Sequence, residues 1–517
     1  MQSPKCRFDN REEAKFCIDC GNKLEINCSK CSHLNPPASK FCEECGSSLT
    51  LASEKAPKAF SFDEKLENIQ KYLPKGLTEK ILSQRDKIGG ELMKKSVIFL
   101  FIILITTLSC TTKYRSMHSF ETVWQTVNQA HYDPTFGGVD WKAAHEQYKP
   151  QIAAAENKKE SFLLINQMLF ELNLSHLLAV YPDDLKRHMP VLFAEGEIGV
   201  DVRLLDGEAV ITMVRTGTPA EQAGLRPGFI IERIDGKPVE RIIQEGEALL
   251  VPPFNARNRL NNLSGYISGH IYGPSNTTVK IHFRDKDGKG KEAVIQRKSR
   301  GPGRFATDAM PPYYVEFEAK RLGNNIGYVW FNHWAEPVDG KFIAALASMR
   351  DIRGLIIDLR GNPGGFLGVV HTITKHLLAE KTQVSSWKFR NQRVEYSFDP
   401  ARGAYLGPVV VLIDVRSTSS SEYFAGSMQT TKRAVIVGER SPGFLLIANW
   451  KKLLNGTSFM YAFAQPIMPD GRIIEGNGVV PDIEVKLDRD ALLTGTDTQL
   501  EAAKNYIING ITNSKTQ

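Results

Sequence analysis

The sequence predicts a multidomain α/β protein: a small metal-bound module, a helical segment, a β domain of short strands, and an α/β core with parallel strands. Three observations lead there. Seven of the eight cysteines lie in the first 45 residues, the eighth is Cys110, and none follows it. Short strands punctuated by turn residues fill 190–298. From 326 onward, continuous apolar runs alternate with helical stretches, the pattern of strands buried on both faces. A chain of 517 residues has room for about three to four domains of ~150 residues each. With 42% hydrophobic and 24% charged residues, disorder, collagen-like repeats and a polytopic membrane protein are excluded. A net charge of +7 is small for this length and gives no reason to expect nucleic acid as a partner.

The first element is a repeat. Cys6-x10-Cys17-x2-Cys20 recurs 25 residues later as Cys31-x10-Cys42-x2-Cys45, and Cys28 stands ahead of the second copy. Cys28, Cys31, Cys42 and Cys45 then supply four thiolates for one tetrahedral zinc, and a closed site of this kind is structural. Residues 1–50 are too few to fold on an apolar core, so the metal must supply much of their folding energy. Cys6, Cys17 and Cys20 form a degenerate copy, because Ser3 stands where a first cysteine would fall. The module resembles double zinc ribbons, which implies an interaction role and a protein partner.

Residues 51–92 read as a linker with short amphipathic helices: Phe62, Leu66, Ile69 and Leu73 share a helical face before Pro74 and Gly76 break it. At 93–110, Lys94 and Lys95 precede an apolar stretch of 12 residues from Val97 to Leu108, and Ser109-Cys110 follows. Spanning a bilayer takes about 20 apolar residues, whereas 10–14 suit a signal-peptide core. The segment therefore reads as a bacterial lipoprotein signal, although Thr107 stands where leucine is usual. Met93 can begin a chain, which would make 1–92 a fused extension; otherwise 93–110 is an uncleaved anchor with the zinc module in the cytosol. Both readings attach the protein to the cell membrane and put 111–517 outside the cytosol, periplasmic or extracytoplasmic. A cysteine-free body suits an oxidising compartment.

Residues 116–185 read as helical, with Phe120, Val123, Trp124 and Val127 on one face. In 190–298, Val200 to Leu204 and Ala209 to Val214 flank Asp206-Gly207 as a hairpin. Thr218-Pro219-Ala220 through Gly224-Leu225, with Ile234-Asp235-Gly236, resembles a PDZ domain, and 240–272 looks like an insertion in it. The resemblance implies that Ile198, Gly199 and Val200 offer backbone N–H groups to a peptide terminus that adds as a strand.

Within 310–490, Gly354 to Arg360, Pro408 to Ile413 and Ala434 to Val437 are expected to be buried parallel strands. The first runs into Gly361-Asn362-Pro363-Gly364-Gly365. The second runs into Ser417-Thr418-Ser419-Ser420-Ser421-Glu422, where a serine would meet unpaired N–H groups and the positive end of a helix dipole. A serine cluster in such a place can equally be a helix cap. Residues 491–517 are left as a C-terminal tail.

Asp358 to Gly365, Ser419 to Glu422, Val437-Gly438-Glu439 and Glu475 to Asp482 occur in one order. With the PDZ-like segment and His131-Tyr132-Asp133-Pro134, they resemble the tail-specific, C-terminal-processing serine peptidases over about 116–490. Phe444 stands where the serine–lysine branch carries its lysine. Leu174-Ser175-His176 and Glu475 resemble the tricorn-like branch instead. That resemblance implies Ser419 as nucleophile, His176 as base, Glu475 and Ser175 orienting it, and Gly364 and Ser420 as oxyanion donors, with no cofactor for catalysis. The expected protein is a membrane-attached endopeptidase acting on exposed or unfolded polypeptides. Leu177, in place of the family's usual threonine, keeps open an inactive peptide-binding scaffold, and the zinc module keeps open a signalling adaptor.

Overall fold

The computed structural model describes residues 113–304 and 309–514, with a few positions between Ile26 and Cys45. The linker, the 93–110 segment, Cys6, Cys17, Cys20 and Cys28 lie outside the described residues. The chain forms two compact units, Met1–Phe101 and Ile102–Gln517. In the first, Ile26–Asn27 pairs antiparallel with Leu34–Asn35. Among the described residues, no helix is long and apolar enough to cross a membrane.

The second unit is mixed α/β and opens with helices at 113–130, Trp141–Ala154 and Lys158–Phe170. Asp140 and Asn157 cap the latter two by accepting from Ala143 and Glu160 N–H. Their apolar faces meet around Phe120, Ile165 and Met168. The expected helical region ends earlier than its pattern suggested. Leu178–Val180 is a strand, antiparallel to Ser458–Met460, and its partner more than 270 residues away leaves no local signal.

Residues 196–299 carry a separate antiparallel sheet, and outside it Gly196–Glu197 pairs with Lys298–Ser299. Strands Val200–Leu205 and Glu208–Val214 form the expected hairpin, and positive φ at Asp206 and Gly207 makes its tight turn. Ile230–Ile234, Thr278–Arg284 and Gly290–Gln296 extend the sheet, leaving Val200–Leu205 at one edge. Helices Val239–Glu247 and Ala256–Ile271 cover it.

The largest core surrounds the strands Ile326–Phe331, Gly354–Asp358, Val409–Ile413 and Val435–Gly438, which lie side by side and parallel. Phe317–Leu322 and Ile483–Glu484 complete the sheet at its edges. Alternate residues feed two layers, as a two-faced sheet requires. Val329, Ile357 and Val411 pack under helices Val338–Ser348, Leu367–Lys375 and Ser420–Thr430. Tyr328, Ile356 and Val410 pack against Ala503 and Ile507 of the helix Thr498–Ser514. The stretch read as a tail therefore carries the helix that seals one face of the core.

Candidate active site

Two adjacent parallel strands end in the loops that build the site. Strand Gly354–Asp358 delivers the turn 361–365, and strand Val409–Ile413 delivers Asp414 to Ser419. Asn362 locks the loops together: Thr418 N–H and Ser421 Oγ–H donate to its carbonyl, and its Nδ2 donates to Phe331 O. Ser419 precedes helix Ser420–Thr430 with φ 55° and ψ −118°. A side-chain-bearing residue adopts that conformation at a cost of about 1–3 kcal/mol, which the surrounding contacts must hold. Ser419 is thus partly exposed, at the end of the loop that follows strand Val409–Ile413.

A relay runs inward from that oxygen. His176 Nε2 lies 3.1 Å from Ser419 Oγ. His176 Nδ1 lies 2.6 Å from Ser175 Oγ, which lies 2.8 Å from Glu475 Oε2. Ser175 N–H also donates to Glu475 Oε1 at 2.7 Å, and Leu445 N–H to Oε2 at 2.7 Å. The carboxylate can only accept, so Ser175 donates to it and accepts from His176 Nδ1–H. That tautomer leaves Nε2 bare toward the Ser419 hydroxyl. Glu475 thus reaches the imidazole through Ser175, not directly.

Burial sets the charges. It holds His176 down at about 3, so the imidazole is neutral at neutral pH. It lifts Glu475 to about 7, against the pull of its Ser175 and Leu445 donors. The Phe444 ring stands 5.0 Å from that of His176 and offers no proton acceptor.

Of the two expected oxyanion donors, Ser420 N–H belongs to the first helical turn, where backbone donors lack an intrahelical partner. Gly364 differs from expectation: its N–H donates to Asn362 Oδ1 at 3.0 Å, inside its own turn. Gly364 still abuts Ser419, since a Cβ there would lie 2.6 Å from Ser419 Cβ. Ile198, Gly199 and Val200 are all buried, and the Ile198 and Gly199 carbonyls accept from Ala220 and Arg215 N–H.

In the N-terminal unit, the sulfurs of Cys31, Cys42 and Cys45 lie within 4.8 Å of one another. Three converging thiols suit tetrahedral zinc, with Cys28 outside the described residues.

Residue-type reasoning missed the supports. Glu422 marked only an alignment, yet its buried carboxylate accepts from four donors around Ser419. A serine followed by glutamate at the third helical position was its available signal. Arg257 binds Ser441 O, Gly476 O and Asn477 O from a distant helix, and no local pattern announces it.

Residues 325–485 match the model of peptidase family S41, residues 113–170 that of the tricorn protease C1 domain, and residues 3–46 that of the double zinc ribbon. The carboxyl-terminal-processing protease of Synechocystis sp. is 26% identical over 401 residues, covering 75% of this chain and 86% of that protein. The carboxy-terminal processing protease CtpB of Bacillus subtilis is 27% identical over 295 residues, covering 56% of this chain and 55%, about half, of the relative. The solved photosystem II D1 C-terminal processing protease is 21% identical with a TM-score of 0.47, covering 72% of this chain and 95% of that one. The peptidase match spans Ser419 and Glu475, and the C1 match stops just short of Ser175-His176. The chain thus carries a peptidase family S41 domain, with a tricorn-type C1 domain ahead of it and a double zinc ribbon at the N-terminal end.

Proposed function

We propose that this protein is a membrane-attached serine endopeptidase that hydrolyses exposed or unfolded polypeptides through a Ser419 acyl-enzyme. The observation that carries this reading is the unbroken hydrogen-bond chain from Ser419 Oγ through His176 and Ser175 to Glu475. His176 Nε2 takes the Ser419 proton as Oγ attacks the peptide carbonyl, then gives it to the leaving amine. A water activated by the same nitrogen hydrolyses the ester. The imidazolium formed in each step donates through Nδ1 to Ser175, whose own proton remains directed at Glu475. Ser420 N–H faces the developing oxyanion at the positive end of its helix, and Gly364 N–H would join it on turning away from Asn362.

The test is labelling by a serine-reactive fluorophosphonate together with hydrolysis of a dye-labelled unfolded protein. Wild type should do both, and Ser419→Ala and His176→Ala should do neither while remaining folded by circular dichroism. Phe444→Lys should not rescue His176→Ala, because that position lacks surroundings that lower a lysine pKa. A folded wild type that neither labels nor cleaves would make the protein the inactive peptide-binding scaffold.

The sheet of 196–299 would capture peptide termini in the manner of a PDZ domain, at Ile198–Val200. Membrane attachment would come from 93–110, with acylation of Cys110 and the peptidase outside the cytosol. Cys110→Ser should then release the protein from membranes, and retention at unchanged mass would favour the uncleaved anchor. Zinc would hold Cys28, Cys31, Cys42 and Cys45 together, presenting the ribbons to a protein partner in the adaptor role.

A further inference from the structure

Three consecutive amides beside the nucleophile donate to two buried carboxylates. Gly443 N–H reaches Glu422 Oε1 at 2.7 Å, Phe444 N–H reaches Glu422 Oε2 at 2.8 Å, and Leu445 N–H reaches Glu475 Oε2 at 2.7 Å. Glu475 already has its place in the relay to His176. Glu422 has none, yet its side chain is fully buried three residues past Ser419.

Its surroundings fix what it can do. Ser441 Oγ lies 2.6 Å from Glu422 Oε1, and the same oxygen accepts Val479 N–H at 2.7 Å, so the Ser441 proton is directed at the carboxylate. Ser419 N–H lies 3.1 Å from Glu422 Oε2 and 2.9 Å from Phe444 O. The three backbone groups that meet Glu422 can only donate, and Ser441, which already accepts from Val479 N–H, turns its proton to the carboxylate. The charged groups that face it are Glu475 and Arg257, from separate elements.

The same four donors bind the nucleophile to the relay. Ser419 N–H, held at a strained φ, is shared between Glu422 and the Phe444 carbonyl. Phe444 packs its ring on His176, and the next amide holds Glu475. A displacement of 441–445 would therefore move the nucleophile, the base and the carboxylate together.

We infer that Glu422 is a positioning residue of the peptidase: it holds segment 441–445 and the Ser419 backbone in the one register that aligns Ser419, His176 and Glu475. This rests on the acyl-enzyme reading above. A merely structural helix cap would stabilise the helix and leave the reacting atoms in place. The difference is measurable because Glu422 also carries a like charge close to Glu475. Burial lifts both to about 7, with Glu475 among the causes acting on Glu422.

The test compares wild type, Glu422→Gln, Ser441→Ala and Ser419→Ala in full-length protein, by fluorophosphonate labelling rate and hydrolysis of the dye-labelled unfolded protein against pH. In Glu422→Gln, one carboxylate oxygen becomes an NH2 facing donors. We expect kcat to fall about 10²-fold with KM within a few-fold of wild type, and the labelling rate to fall in parallel. Loss of the neighbouring charge should also move the acid limb of the labelling profile to lower pH. Ser441→Ala removes one donor of four and should cost about tenfold, with the acid limb unmoved. Circular dichroism at the assay temperature establishes that each variant is folded. If Glu422→Gln is folded and keeps more than half of kcat, or loses activity only in step with its melting temperature with an unmoved acid limb, the positioning role is wrong. If wild type and Ser419→Ala behave alike, it is the acyl-enzyme reading that has failed.

Discussion

In the proposed mechanism, Ser175 decides how the relay conducts charge. In a direct triad a carboxylate touches the imidazole, whereas here a hydroxyl stands between Glu475 and His176 Nδ1. Removing that hydroxyl leaves His176 able to accept a proton but strips its tautomer of support. Ser175→Ala should therefore lower kcat about 10²–10³-fold, and Glu475→Gln about 10²–10⁴-fold, while His176→Ala abolishes hydrolysis. Steady-state kinetics on folded variants checks the order, and activity in Ser175→Ala equal to wild type would mean that the imidazole needs no partner at Nδ1. The pH profile follows from the same atoms. His176, held at about 3, is neutral throughout the working range and does not set the acid limb of the free enzyme. Glu475 and Glu422 are both lifted to about 7 by burial and must be ionised to accept their donors. As pH falls through about 7 they take up protons and the relay loses its acceptor, so kcat/KM should fall there as a coupled pair. An acid limb centred instead near 4 would show both carboxylates to be ionised well below neutrality.

At the scale of elements, the loops matter through what their glycines allow. Gly364 has φ 98°, and a Cβ there would meet Ser419 Cβ at 2.6 Å and Ser420 N at 3.0 Å. Gly364→Ala should thus displace the nucleophile turn and abolish fluorophosphonate labelling, while leaving most of the fold by circular dichroism. Retained labelling would mean that the turn can yield. The same contrast explains what was legible in the sequence. Gly354–Asp358, Val409–Ile413 and Val435–Gly438 could be read as buried parallel strands because both faces are covered and every position but Asp358 is apolar or glycine. The hairpin after Val200 could be read because its turn demands positive φ. Leu178–Val180 could not, since three residues paired to a remote strand carry no period. The site behaved likewise. Ser419, His176, Ser175 and Glu475 were reachable through motifs in order, whereas the Glu422 clamp forms only once the loop some twenty residues on folds back, and the Arg257 contacts only once segments about 200 residues apart have met.

At the scale of the whole catalytic unit, a buried ion network ties the edge strand Val200–Leu205 to the loop that delivers Ser419. Arg416 Nη2 lies 2.5 Å from both carboxylate oxygens of Asp201, and Arg203 Nη1 lies 2.9 Å from Asp414 Oδ2. Asp414 Oδ1 in turn accepts from Gly361 N–H and Arg416 N–H, so one carboxylate spans both active-site loops. Against the desolvation that would raise it, Arg416 and Arg203 hold the half-buried Asp201 down at about 2, so the pair stays ionised at any working pH. Truncating Asp201 removes the nearer counter-ion of Arg416 and leaves it only Asp414, 3.7 Å away, at a cost below the about 3–5 kcal/mol of a fully orphaned buried charge, on the order of 1–3 kcal/mol. Asp201→Ala should therefore lower the unfolding free energy by that amount in denaturant titration. Asp201→Leu combined with Arg416→Met should recover much of it, because apolar replacement removes the orphaned charge. Activity should separate from stability. Assayed well below its melting temperature, Asp201→Ala should still hydrolyse more slowly, since the freed guanidinium sits against Gly361 and Asp414, which shape the nucleophile loop. Lys280→Ala, in a strand toward the opposite edge of the same sheet, should leave both quantities unchanged. If Asp201→Ala loses stability but keeps its full rate, the network fastens the sheet without shaping the site. If it loses neither, the ion pair is replaced by solvent and the two parts of the unit are joined by apolar packing alone.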